Sequence, residues 1–128
     1  MPPLPKPTET ELAILRALWS LGPATVKQVH QHLISEMGRD RELGYTTVLK
    51  MMQTMFEKGL LQRDDSEKAH TYRPAEAKGR TQRALVGDFV DRVFAGSAGE
   101  LVQMALRSRR LSDEEKTALR MLLDGDAK

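Results

Sequence analysis

A hydroxyl side chain followed three positions later by Glu or Gln recurs in this 128-residue chain, at Thr8…Glu11, Thr25…Gln28, Ser97…Glu100 and Ser112…Glu115. At that spacing the hydroxyl accepts from an orphan backbone N–H of a first helical turn, while the longer side chain reaches back to the cap. Each copy leads into sequence whose apolar residues return every three or four positions. The chain is thereby committed to short helices with fixed starting points. The first should run from Glu9 to Leu21, with Leu12, Leu15, Leu18 and Trp19 as its apolar stripe and Gly22-Pro23 as its stop. A short extended piece at Ala24 leads into a second, Val26 to Met37, with Val29, Leu33 and Met37 on one face. A charged loop bounded by Gly38 and Gly44 precedes a third, from about Thr46 to Lys58, and Gly59 is suited to a left-handed cap at its end.

Beyond Gly59 the period changes. Leu60-Leu61-Gln62-Arg63 and Ala69-His70-Thr71-Tyr72-Arg73 flank the polar stretch 64–68, which reads as a β-hairpin closed by Pro74. Three helices followed by a hairpin is the order of a winged helix-turn-helix. The sequence then turns helical again, over Ala77 to Phe94, Ala98 to Arg107 and Asp113 to Leu123. The expected fold class is mostly α with a small β-hairpin: a Pro-rich tail over 1–7, a winged helix over 8–75 and a three-helix domain over 76–128.

Composition narrows the function. Apolar residues make up 40% and charged residues 30%, a globular balance. No apolar run approaches the ~18–20 residues of a membrane span, and the Pro-rich start lacks the apolar core of a secretory signal, so no membrane insertion is expected. Without cysteine there is no disulfide framework or thiol nucleophile, which fits a cytoplasmic setting. No HExxH, phosphate-cradling glycine loop, nucleophile elbow or deaminase signature occurs. His30 and His32, two apart on a helix, point away from each other and do not share a metal. A protein without catalytic residues, cofactor or metal is expected. The net charge of +2 is small, with ten basic and nine acidic residues on each side of Pro74, so any nucleic-acid binding must use a local patch.

The third helix supplies such a patch. On a helical wheel Val48, Met51, Met52 and Met55 share one side, with Phe56 at its margin. Thr46, Lys50, Gln53 and Glu57 lie opposite, flanked by Thr47 and Thr54 on one side and Leu49 on the other. A helix that buries methionines and presents Thr and Lys meets the needs of a reading helix in the DNA major groove; the same face also suits an ordinary solvated helix. The following hairpin favours DNA. Its Lys68, His70 and Arg73 are placed to meet phosphates, whereas Asp64, Asp65 and Glu67 would repel a duplex and turn the wing tip partly away.

In the fourth helix Leu85, Val86, Phe89, Val90, Val93 and Phe94 cover roughly half the wheel, wider than one packing surface requires. Leu101, Val102, Met104, Ala105 and Leu106 follow, then Leu119, Leu122 and Leu123. Some fifty residues in short helices bury too little on their own. A second copy on a two-fold axis would cover Leu85, Phe89, Val93, Leu101, Leu119 and Leu122, and would present two reading helices to two half-sites. Folding back onto the N-terminal domain is the alternative. Two other uses of the architecture stay open: an effector-responsive winged-helix regulator, and a winged-helix protein-interaction module.

Tyr45-Thr46-Thr47-Val48-Leu49, running to Glu57-Lys58-Gly59-Leu60-Leu61 and then Tyr72-Arg73-Pro74, resembles the penicillinase-repressor (BlaI/MecI/CopY-like) family of bacterial transcriptional regulators. So do the Thr8-x-x-Glu11…Leu15…Trp19 opening and the order of the C-terminal helices. The resemblance implies a homodimeric repressor on palindromic double-stranded operator DNA, with Thr46, Thr47 and Lys50 facing the groove. Leu49 departs from the basic residue often found there, and Thr54 from the frequent Arg. Leu49 suits a thymine methyl. The family also implies derepression by a membrane sensor-protease system that cuts an Asn-Phe bond early in the C-terminal domain. The corresponding pair here is Asp88-Phe89, and the absence of cysteine disfavours the copper-responsive branch.

Overall fold

A computed structural model describes residues 6–37, 43–107, 112–115 and 117. The elements are α1 (Glu9–Leu21), β1 (Ala24–Thr25), α2 (Val26–Met37), α3 (Tyr45–Glu57), β2 (Leu61–Asp64), β3 (Thr71–Pro74), α4 (Lys78–Phe94) and α5 (Ala98–Arg107).

Capping chemistry fixes most helix starts. At α1 the Thr8 hydroxyl accepts from the Glu11 amide at 3.2 Å, and the Thr8 amide donates to Glu11 Oε1 at 2.9 Å. Thr25 and Gln28 repeat the exchange at α2 (3.2 and 2.9 Å). The Ser97 hydroxyl caps α5 by accepting from the Glu100 amide at 3.2 Å. Ser112 and Glu115 exchange bonds of 3.1 Å in both directions, opening a helical stretch at 113–115 and 117. The rest of the expected last helix, Leu119 and Leu122 included, lies outside the described residues.

The strands add one element to the expected hairpin. β2 and β3 pair antiparallel from Leu61↔Pro74 to Asp64↔Thr71, and the extended piece at Ala24 joins as a third strand, Ala24↔Tyr72 and Thr25↔Thr71. The sheet order is β1-β3-β2. Two residues carry no alternation pattern, so β1 is set by the pairing partner that tertiary structure brings to it.

One core holds the helices on this sheet. Ile14, Leu15 and Leu18 of α1, Val29 and Leu33 of α2, Val48, Met52 and Met55 of α3, and Leu61 and Tyr72 of the sheet are buried together. Leu12 and Trp19, expected within the α1 stripe, sit at its margins, because α1 packs against α2, α3 and β3 and its buried arc centres on Ile14, Leu15 and Leu18. Gly59, at φ +87°, ends α3 in the left-handed region and turns the chain into β2.

The described residues up to Gln82 form one compact unit and those from Arg83 another. The division falls inside α4, whereas the limit expected from the sequence lies just before that helix. The first turn of α4 belongs to the winged-helix unit, where the Lys78 ammonium sits 5.8 Å from the Trp19 ring centre. In the second unit α4 carries a row of exposed apolar side chains, Val86, Phe89 (42% exposed) and Val93 (56%), while Val90 beside it is buried. Met104 of α5 is exposed as well.

Candidate nucleic-acid interface

The presentation of α3 follows from its buried side. Val48, Met52 and Met55 are fully enclosed, and a helix pinned at i, i+4 and i+7 cannot rotate about its axis without opening the core. Thr46, Lys50, Gln53 and Glu57 therefore form a ridge exposed to solvent, with Thr47 and Thr54 exposed beside it. Met51 and Leu49 are half-buried against the core margin. Leu49 thus leaves only part of its side chain accessible.

Two shallow clefts flank this ridge. One, of about 320 Å³, is lined by Thr46, Thr47, Lys50 and Thr54 and reaches back to Glu11 of α1. The other, of about 380 Å³, lies between α3 and the wing, with Leu49 and Gln53 on one wall and Lys68 and His70 on the other. The structure thus brings Leu49 and Gln53 together with Lys68 and His70, while Thr46, Thr47 and Lys50 line the other cleft. It does not bring Arg73 to the wing-side cleft. Strand alternation sends Tyr72 into the core and Arg73 to the opposite face, where its Nε donates to Gln62 Oε1 at 2.9 Å.

The wing is internally organised. Asp64 Oδ1 accepts from the Ser66 amide at 2.9 Å, making an Asx turn at the start of the tip. The Ser66 hydroxyl and amide hold the Asp64 carboxyl below its usual pKa, so the tip keeps its negative charge. Asp65 lies 2.7 Å from Arg63 Nε and 3.3 Å from His70 Nδ1. The Arg63 guanidinium also lies 4.4 Å from the Phe56 ring centre, tying the end of α3 to β2. Contact with the Tyr72 side chain and with Asp65 raises its pKa further above the ordinary range. One carboxylate thus engages both a guanidinium and an imidazole of the wing.

Two further contributors were invisible to sequence reasoning. Lys27, in the first turn of α2, lines the wing-side cleft with Lys68. Among the described residues, Lys27, Lys50 and Lys68 make no ion pair. A single Lys one position into a capped helix gives no pattern, so only the fold reveals its neighbours. The second is the tether at the far end of α3, where Lys58 Nζ donates to both Glu11 oxygens, at 3.0 and 2.8 Å. Glu11 is only 5% exposed. Burial pushes its pKa up, but the bonds from Lys58 and Thr8 outweigh burial and leave it below the ordinary value. The capping spacing pointed to Glu11 as a cap and gave no sign of its second partner.

The sequence that folds this way has counterparts among known proteins. The penicillinase repressor family model matches residues 7–125. The chain belongs to the penicillinase repressor family. It is also 35% identical over 112 residues, 73% of this chain and 78% of the relative, to the protein named transcriptional regulator BlaI in two strains of Mycobacterium tuberculosis, CDC 1551 / Oshkosh and ATCC 25618 / H37Rv. In this penicillinase repressor family member, the Asp88-Phe89 pair singled out in the sequence lies within α4. Asp88 pairs with Arg92 at 2.9 Å, and the Phe89 and Phe94 rings meet edge-on at 5.8 Å. Of the side chains expected at a dimer contact, Leu85 and Leu101 are half-buried while Phe89 and Val93 are exposed. No described helix is long and apolar enough to cross a membrane.

Proposed function

We propose that the protein is a cytoplasmic transcriptional repressor that holds a palindromic operator as a homodimer. One observation carries this reading: the Thr46–Lys50–Gln53 ridge stands uncovered beside cationic groups, in a chain of the penicillinase repressor family. Residues 8–75 form the DNA-binding domain and 76–128 the dimerisation domain. Thr46, Thr47, Lys50 and Gln53 read base edges, and the half-buried Leu49 touches a thymine methyl where the groove allows. Lys68, His70 and Lys27 meet phosphates; Arg73, on the other face of the sheet, reaches a phosphate only where the duplex passes around the wing. The exposed Val86–Phe89–Val93 row, with Leu85 and Leu101 beside it, supports pairing of two copies. Footprinting on the duplex upstream of the protein's own coding sequence tests the whole reading. Two protected patches about one helical turn apart are expected, and uniform weak protection would refute it.

Derepression proceeds by cutting at Asp88-Phe89. A protease needs an extended strand, so α4 must open locally and release the Asp88–Arg92 pair before the bond is accessible. Cutting there separates much of the dimer contact from the reading helices, and each half-site then binds alone at lost avidity. Incubation with an activated membrane sensor protease should give a fragment boundary at Asp88. Its absence would remove this step and leave the DNA-binding proposal standing.

A further inference from the structure

The front of α3 is held differently from the capped starts. α1, α2 and α5 each begin on a hydroxyl cap, but α3 begins on Gly44, which has no side chain to close the first turn. A glycine at the entry to a helix also leaves the direction of approach loosely set. His30 of α2 supplies what the entry lacks. Its Nε2–H donates to the Leu43 carbonyl at 2.8 Å, thirteen positions along the chain. Its ring meets the Tyr45 ring edge-on, with centres 5.9 Å apart and planes at 87°. The two contacts grip the residues on either side of Gly44. Because a carbonyl can only accept, the neutral ring must carry its proton on Nε2. His30 itself is anchored, since Val29 and Leu33 beside it on α2 are buried.

We infer that His30 is a positioning residue for sequence discrimination, setting where Thr46, Thr47 and Lys50 enter the groove. The inference rests on the DNA-binding reading above. Base readout depends on hydrogen-bond angles that weaken steeply with misalignment, and functional groups must be held to within about 0.5 Å. Phosphate contacts are electrostatic and tolerate such shifts. Loosening the grip on Gly44 therefore costs selectivity before it costs affinity.

The test compares binding of the full chain to a duplex that the wild-type protein enriches from a randomised pool with binding to a scrambled duplex of the same composition. His30→Phe keeps a ring against Tyr45 and removes the donor; His30→Gln restores an N–H near the Nε2 position. His30→Phe should lower the ratio of selected to scrambled affinity about tenfold, roughly the worth of one hydrogen bond. Affinity for the scrambled duplex and its salt slope should stay within about twofold, and His30→Gln should recover most of the ratio. A wild-type ratio in His30→Phe, a parallel loss on both duplexes, or a His30→Gln as poor as His30→Phe would each overturn the inference alone. A wild-type protein that enriches no duplex overturns the DNA-binding reading and this inference with it.

Discussion

Lys50 sits at the centre of the exposed α3 ridge, one turn after Thr46 and three residues before Gln53, with no acid paired to it among the described residues. Lys50→Ala should cost about 1–3 kcal/mol on the preferred duplex and change which sequences are enriched, as a repeated selection would reveal. Lys68→Ala should act differently, weakening every duplex to a similar degree and flattening the salt slope by about one unit. Asp65→Asn should do the opposite. Once Arg63 and His70 are no longer engaged by Asp65, binding to all duplexes should tighten and selectivity should fall, which titrations at several salt concentrations would register. The ridge was legible in the sequence because a helix of known phase needs only its buried methionines to fix its opposite side. The neighbours of that ridge were not. Lys27 and Lys58 reach their places through tertiary packing, and the direction of Arg73 depends on which face of β3 the core claims.

At the scale of elements, the two ends of α3 are fastened by side chains from the two preceding helices. The Glu11–Lys58 bond joins the cap of α1 to the end of α3, and breaking it tests the coupling. Lys58→Met should destabilise the fold by about 1–2 kcal/mol, less than a fully buried pair would cost because Lys58 keeps 41% of its side chain in water. The pH dependence has a definite sign. The folded-state pKa of Glu11 is lowered, so its contribution is present above the ordinary carboxylate range and is lost as pH falls through the depressed value. Lys58→Met should therefore lose more stability at neutral pH than in acid, measurable by denaturant melts across that interval. Thr25→Ala, which removes the α2 cap, should cost about 1 kcal/mol with little pH dependence. The starts of α1, α2 and α5 were readable to the residue, since capping boxes act locally, and Gly22 marked the end of α1 in the same way. Where no box exists the limits moved: α3 spans Tyr45–Glu57 against an expected Thr46 to Lys58, and α4 starts at Lys78 against Ala77. β1 was not readable as a strand, because a two-residue ladder exists only when β3 lies alongside.

For the molecule as a whole, the exposed row on α4 makes the oligomeric state the decisive quantity. Phe89→Asp puts a charge in the middle of Val86, Phe89 and Val93 and should shift the protein toward monomer in sedimentation velocity. An unchanged profile would count against pairing of copies through this face. Helices α1 and α2 contain all the atoms of their own caps and can begin to form as soon as each is synthesised. The carboxylate at the start of α1, however, waits for a lysine 47 positions later. On the ribosome this makes assembly sequential: a nascent chain halted before Lys58 has two capped helices and leaves the Glu11 carboxylate with its Thr8 bond alone, so closing the helices over the acid costs more than in the finished fold. α3 and the residue that fastens its end thus emerge together, and a truncated translation product should be an inert, protease-sensitive fragment and not a half-competitor for DNA.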